Sequence, residues 1–338
     1  MLEFLVQPPE GVPFSDRIEI ACLTAADGIG IRAAFALPEG KPAGTVVLLQ
    51  GRAEYIEKYG EVFSELMTRD FAVAALDWRG QGGSDRQVGN PRKGHVEDFN
   101  DYLLDLDALL AEIRRRGLPE PYHLLAHSTG GAIALLALAR QPVLFTRAIL
   151  SSPLVAIAGL RWPDASRVLA RILASLGLST AFIPGGRRIT IADGPFDGNP
   201  LTSDPERFAR MALWQKQEPR LAIGDPTIGW VDAAFEAMAR FDDDRFGLEN
   251  RTPCLFVLAG ADRVVDSRAA ATLARRMRGT SAITLLGAQH EILMERGRIR
   301  QQFWAAFDAF CREPVLGDGT LPAQGGEPAS ATAPGEQA

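Results

Sequence analysis

Apolar positions along the first half of the chain alternate between two periods. Short strand-like runs recur at 45–50, 71–76, 122–126 and 147–151, the first of them continuously apolar, of the kind buried on both faces of a parallel sheet. Between them lie stretches with helical spacing: Glu57 to Arg69, Glu97 to Arg116 and the run after Ser128. In the second of these, Phe99, Leu103, Leu106, Leu110 and Ile113 share one face, and His95 is read as lying at its opening. Ahead of them, Arg17 to Leu23 and Ile29 to Leu37 flank an Asp-Gly turn and predict an antiparallel hairpin at a sheet edge. From about Pro153 to Asn250 no clear strand recurs, only helical runs separated by Pro and Gly. Strand character returns at Cys254 to Leu258 and Ala282 to Leu286, with helices at Ser267 to Met277 and Arg298 to Cys311. The pattern predicts an α/β fold, a mostly parallel central sheet with helices on both faces. The expected division is a core over 1–152 and 251–312, a helical cap inserted at 153–250, and a disordered tail at 313–338, rich in Gly, Pro and Ala.

The chemistry concentrates where one strand meets one helix. Leu124-Leu125-Ala126-His127-Ser128-Thr129-Gly130-Gly131 reads as strand, sharp turn, helix, with Ser128 at the apex. The usual form is G-x-S-x-G; here Ala126 takes the first position. A serine nucleophile needs a histidine base oriented by a carboxylate. Of four histidines, His123 lies inside the strand, His127 adjoins the serine and His95 precedes it; His290, just after a strand, remains. A carboxylate between Ser128 and His290, beyond the strand at 254–258, completes the order serine, acid, histidine. Asp262 is nearest the strand end and favoured, with Asp266 its rival or else a helix N-cap. Gln50-Gly51-Arg52, after the strand at 45–50, is placed to form an oxyanion hole from the backbone N–H of Arg52, with that of Thr129 as second donor. The glycine-rich loop Asp77 to Ser84 lacks a Gly-Lys-Ser/Thr ending and reads as structural.

Composition narrows the remaining choices. Thirty-six basic residues against 42 acidic ones leave a net charge of −6, which argues against nucleic acid as a partner. Three scattered cysteines suggest a reducing compartment and neither a disulfide framework nor a metal cluster. The N-terminus lacks the features of a signal peptide, and no apolar run is long enough to span a bilayer, so a cytoplasmic location is expected. Between Arg161 and Arg188, five arginines interleave with Trp162, Val168, Leu169, Ile172, Leu173, Leu176, Phe182 and Ile183. That stretch reads either as a surface resting on an anionic leaflet, at the inner membrane face, or as a helix packing its apolar side on the core.

The segments Gln50 to Tyr59, Asp77 to Ser84, Ala126 to Gly131, Gly260 to Asp266 and Gly287 to Arg300 together resemble the lysophospholipase and monoacylglycerol-lipase branch of the serine α/β-hydrolases. Asn199 to Asp204 and Pro226 to Trp230 extend the likeness into the inserted segment. The resemblance implies ester cleavage on monoacylated lipids through an acyl-enzyme on Ser128, with Asp262 and His290 completing the triad and no cofactor. Departures are Gln50 where the branch usually has His, Ala126 for Gly, and Thr129 where Met is common. A short-chain carboxylesterase or thioesterase of the same fold, and a catalytically dead binding module, remain the alternatives.

Overall fold

A computed structural model describes residues 1–12 and 14–312. The tail expected to be disordered, 313–338, lies outside the described residues. Eight strands form one sheet: β1 (Glu19–Thr24), β2 (Gly30–Ala36), β3 (Gly44–Leu49), β4 (Phe71–Leu76), β5 (Tyr122–His127), β6 (Arg147–Ser151), β7 (Cys254–Ala259) and β8 (Thr280–Leu285). Their spatial order is β1-β2-β4-β3-β5-β6-β7-β8. β1 pairs antiparallel with β2, and β2 antiparallel with β4; every later pairing is parallel. This is the α/β-hydrolase architecture, a parallel sheet with an antiparallel edge.

Among the described residues eight α-helices accompany the sheet: α1 (Gly60–Met67), α2 (Asp101–Arg116), α3 (Thr129–Arg140), α4 (Pro163–Leu173), α5 (Pro205–Gln217), α6 (Ile228–Asp242), α7 (Ser267–Arg276) and α8 (Gly297–Arg312). Alternate strand residues divide the core in two. Val47 and Leu49 of β3 face Leu106, Leu110 and Ile113 of α2 together with α3 and α7. Val46 and Leu48 face Val62, Phe63 and Leu66 of α1 and Phe303 and Phe307 of α8. Both faces are therefore dry, as unbroken apolar runs require.

Three local expectations need correcting. The helix read from Glu57 begins as a 3₁₀ turn, Ile56–Tyr59, before α1. The helix read from Glu97 starts only at Asp101, because the Asp98 carboxylate accepts the Asn100 N–H at 2.8 Å and bends the chain locally. His95 therefore lies in the preceding loop, its Nδ1 2.8 Å from the Thr227 hydroxyl. β8 starts two residues before the expected Ala282 and stops at Leu285.

Helices α4, α5 and α6 all fall between β6 and β7. α6 is well anchored, burying Trp230, Ala234, Phe235, Met238 and Phe241. α4 is not: only Ala170 is buried, while Trp162 just before it is 65% exposed and Leu176 just after it 70%. Val168, Leu169 and Ile172 are exposed as well, so the reading in which this apolar side packs on the core fails. Arg171 ties α4 to α6 through Asp232 at 2.9 Å and Glu236 at 2.5 Å. Among the described residues no helix is long and apolar enough to cross a membrane.

Candidate active site

Ser128 joins β5 to α3 with φ 51° and ψ −116°, a backbone conformation that costs an L-residue energy and is held by its surroundings. Its N–H donates to the Ser151 carbonyl at 3.1 Å, and its own carbonyl accepts from Leu154 at 2.9 Å. Strand and helix cross so closely here that a Cβ on Gly130 would lie 2.4 Å from the Leu49 carbonyl oxygen. Only glycine fits at that position. Ala126, two residues before the serine, is accommodated fully buried.

His290 Nε2 lies 2.9 Å from Ser128 Oγ, and its Nδ1 lies 2.9 Å from Asp262 Oδ2. The other carboxylate oxygen of Asp262 accepts the Val264 and Val265 N–H groups at 2.8 and 3.0 Å. Burial alone would raise this carboxyl; the His290 hydrogen bond and charge, with those two N–H groups, outweigh it and hold the pKa below the usual value. Asp266 instead caps α7, accepting the Arg268 and Ala269 N–H groups at 2.8 and 3.2 Å. The rivalry between the two aspartates thus resolves geometrically: Asp262 meets the imidazole, and Asp266 is tied to a helix end.

In the loop after β3, the Gly51 N–H donates to the Glu54 carboxylate and the Ala53 N–H to Gln81 Oε1 at 3.2 Å. Between them, the Arg52 N–H makes no hydrogen bond among the described residues. The Thr129 N–H, at the first turn of α3, has none either. Two donors without protein partners therefore flank the serine's surroundings, and both residues line the same cavity as Ser128 and His290.

One feature escaped the sequence reading. Lys58, buried, reaches Glu54 and Glu291 at 2.7 Å each, while the Tyr59 hydroxyl donates to Glu54 at 2.7 Å. Glu291 follows His290 directly, so this ion cluster ties the loop bearing Arg52 to the loop bearing the imidazole. The spacing of Glu54, Lys58 and Tyr59 was a signal, but Glu291 joins them only through the fold. His127 sits beside it, its ring centroid 4.8 Å from that of His290. Burial lowers the His127 pKa to about 4 despite the Glu54 carboxylate nearby, so this ring stays neutral around pH 7. The backbone around His290 is further held by the segment at 200–201: His290 N–H donates to the Pro200 carbonyl at 3.4 Å and Glu291 N–H to the Leu201 carbonyl at 2.8 Å.

The glycine-rich loop 77–84 wraps a buried carboxylate. Asp77 accepts from Ile56 N–H at 2.9 Å, Gly83 N–H at 2.7 Å and Arg32 Nη1 at 2.9 Å. A Cβ on Gly82 would lie 2.3 Å from that carboxyl carbon. Gly82 and Gly83 serve Asp77, while Gly80 backs onto the His95 backbone. Gln50, at the usual histidine position, is fully buried with Nε2 3.4 Å from Asp77. Among the described residues no group of three or more His, Cys, Asp or Glu could hold a metal ion.

The cavity measures about 270 Å³. Its lining is largely apolar, with Leu154, Ile157, Leu201, Met211, Ile223 and Trp230 above and beside the serine. Residues 40–297 match the family model described as serine aminopeptidase, S33. Lysophospholipase L2 of Escherichia coli strain K12 is 32% identical over 268 residues, 75% of this chain and 76% of that protein. Monoglyceride lipase of Rattus norvegicus is 28% identical, covering 78% of each chain. Among solved structures, a soluble variant of monoglyceride lipase from Saccharomyces cerevisiae, in complex with a substrate analog, aligns with a TM-score of 0.69 at 18% identity. That alignment covers 90% of this chain and 98% of the other. A thermostable carboxyl esterase from Bacillus coagulans aligns with a TM-score of 0.71 at 17% identity, covering 88% and 98%. At such identities these two structures speak for the fold alone.

Proposed function

Because this chain belongs to the serine aminopeptidase S33 family of α/β-hydrolases and is an ester hydrolase, we propose that it cleaves the ester of single-chain lipids, lysophospholipids or monoacylglycerols, through Ser128. The observation that carries the reading is the hydrogen-bonded line from Ser128 through His290 to Asp262, opening on an apolar cavity. In this mechanism His290 Nε2 takes the Ser128 proton as Oγ attacks the ester carbonyl. Asp262 keeps the Nδ1–H tautomer and stabilises the imidazolium. The N–H groups of Arg52 and Thr129 receive the developing oxyanion, a donor pair worth roughly 2.7–4 kcal/mol for each member. His290 returns the proton to the leaving alcohol, then activates the water that releases the fatty acid. Neutral His127 does not compete for the proton.

Segment 153–250 then acts as a cap whose apolar side chains take the acyl chain. Each CH₂ withdrawn from water contributes about 0.8 kcal/mol, so kcat/KM for p-nitrophenyl esters below their micelle threshold should climb from acetate to octanoate. Greatest activity on acetate with a steady fall thereafter would favour the short-chain esterase reading. Ser128→Ala tests the nucleophile: fluorophosphonate labelling and hydrolysis should both vanish while the thermal transition persists. Labelling that survives sinks the assignment. The exposed apolar face at α4 supports a second element, contact of the cap with a lipid surface.

A further inference from the structure

Two cationic side chains, apart from the histidines, line the cavity: Lys58 and Arg52. Lys58 is neutralised by two carboxylates at 2.7 Å. Arg52 is different. Its Nη2 donates to the Gly224 carbonyl at 2.8 Å, and its guanidinium carbon lies 5.2 Å from the centroid of the Trp230 ring. Both of those residues also line the cavity, so the side chain is braced against the inserted segment rather than free to swing. Nε is sealed from solvent with no hydrogen-bond partner, and Nη1 makes none among the described residues. Asp225, an acid in the lining, forms no ion pair with it, one of its oxygens accepting the Arg187 N–H at 2.7 Å. Burial lowers the Arg52 pKa to about 10 against the weaker pull of Tyr102 and Asp225. The group therefore stays charged near pH 7, a partly buried cation lining the cavity with no counter-ion in contact.

A cation so placed favours an anion in the cavity, and a guanidinium offers its N–H groups best to a carboxylate or a phosphate. The fatty-acid carboxylate forms only on the far side of the reaction and at Ser128. Before reaction, the anion has to come with the substrate's alcohol part. Resting on the ester-hydrolase reading above, we propose that the Arg52 side chain binds the phosphate of a lysophospholipid head group, selecting a phosphorylated over a neutral glycerol ester. The residue then has two separate uses: its backbone N–H faces the oxyanion, and its side chain reads the leaving group. The neutral head of a monoacylglycerol would leave the charge uncompensated.

The test compares octanoyl lysophosphatidylcholine with octanoylglycerol, both monomeric and both releasing the same acid. The ratio of their kcat/KM values thus reports the head group alone. Wild-type protein should favour the phosphorylated ester, and Arg52→Gln should lower the ratio at least tenfold, with Arg52→Lys in between. An unchanged ratio in an Arg52→Gln protein that still labels with fluorophosphonate overturns the proposal, as does a wild-type preference for octanoylglycerol. Should the variant fail to fold, wild-type protein decides: glycerophosphocholine should inhibit p-nitrophenyl octanoate hydrolysis competitively, and glycerol should not. No inhibition by glycerophosphocholine overturns the proposal, and so does inhibition by inorganic phosphate at equal or lower concentration, which would mark a site for free anions. Failure of the ester-hydrolase reading itself would look different: no hydrolysis of either lipid and no labelling of the wild type.

Discussion

At the scale of single residues, two aspartates four positions apart do separate work. Asp262 receives Nδ1 of His290 and two backbone N–H groups, whereas Asp266 caps a helix. Asp262→Asn should lower kcat on the order of 10⁴-fold, since the amide favours the wrong imidazole tautomer. Asp266→Ala should cost about 1 kcal/mol of stability and little in kcat. Steady-state kinetics beside urea unfolding of the two variants checks the pair, and the reverse ranking would exchange their roles. Lys58 poses a sharper case. Removing its ammonium as Lys58→Met would leave Glu54 and Glu291 facing one another in a buried site. Breaking a buried ion pair from one side costs about 3–5 kcal/mol. A urea-unfolding loss well under 1 kcal/mol would show that water or protonation relieves the pair.

At the scale of elements, strand positions were the most legible part of the chain. β4 begins and ends where its apolar run does, because a strand buried on both faces without a polar residue has sharp limits, and β6 too spans the residues read for it. Helix starts were less legible. An Asx turn at Asp98 and a 3₁₀ turn at Ile56 depend on local hydrogen bonds that periodicity does not encode. Ser128, Asp262 and His290 could be named from their order after strands, since that order follows from the topology. Glu291 beside Lys58, and the guanidinium of Arg52 beneath Trp230, could not: each contact joins segments more than 170 positions apart. The apolar positions of α4 were visible, but not which way they face. With Trp162, Leu169 and Leu176 exposed, and Arg161, Arg187 and Arg188 outside any ion pair among the described residues, this face should carry the protein onto vesicles. Replacing Trp162, Leu169 and Leu176 by Ser should lower co-sedimentation with anionic vesicles while sparing hydrolysis of a monomeric p-nitrophenyl ester. Equal recovery of wild type and variant would remove the element from the account.

For the whole molecule, the buried histidines decide how it meets acid. Burial, with the Arg147 charge, lowers His123 to about 4; burial lowers His127 to about 4 as well. Their folded-state values lie below the ordinary value of about 6.5, so the unfolded chain binds more protons between those limits. Stability should then be flat above about pH 6.5 and fall as pH drops toward 4, with a slope of up to about 1.4 kcal/mol per pH unit for each histidine. Below that window the depressed carboxyls of Glu54 and Asp262 add to the loss. Urea midpoints at about pH 7 and about pH 4.5 measure the fall, and His123→Leu should reduce it. An unchanged fall would mean that His123 is protonated without opening the fold.

The ion cluster of Glu54, Lys58 and Glu291 has a bearing on how the protein is made. A nascent chain that ends before Gln289 already owns the elbow serine and the loop after β3, but neither the imidazole nor the acid that anchors that loop from the other side. Until then Lys58 has one of its two carboxylates, and Ser128 has no base. Competence to attack an ester therefore comes only once the loop after the last strand of the sheet has been made. For an ester hydrolase, the half-built polypeptide is inert toward esters until that segment is in place.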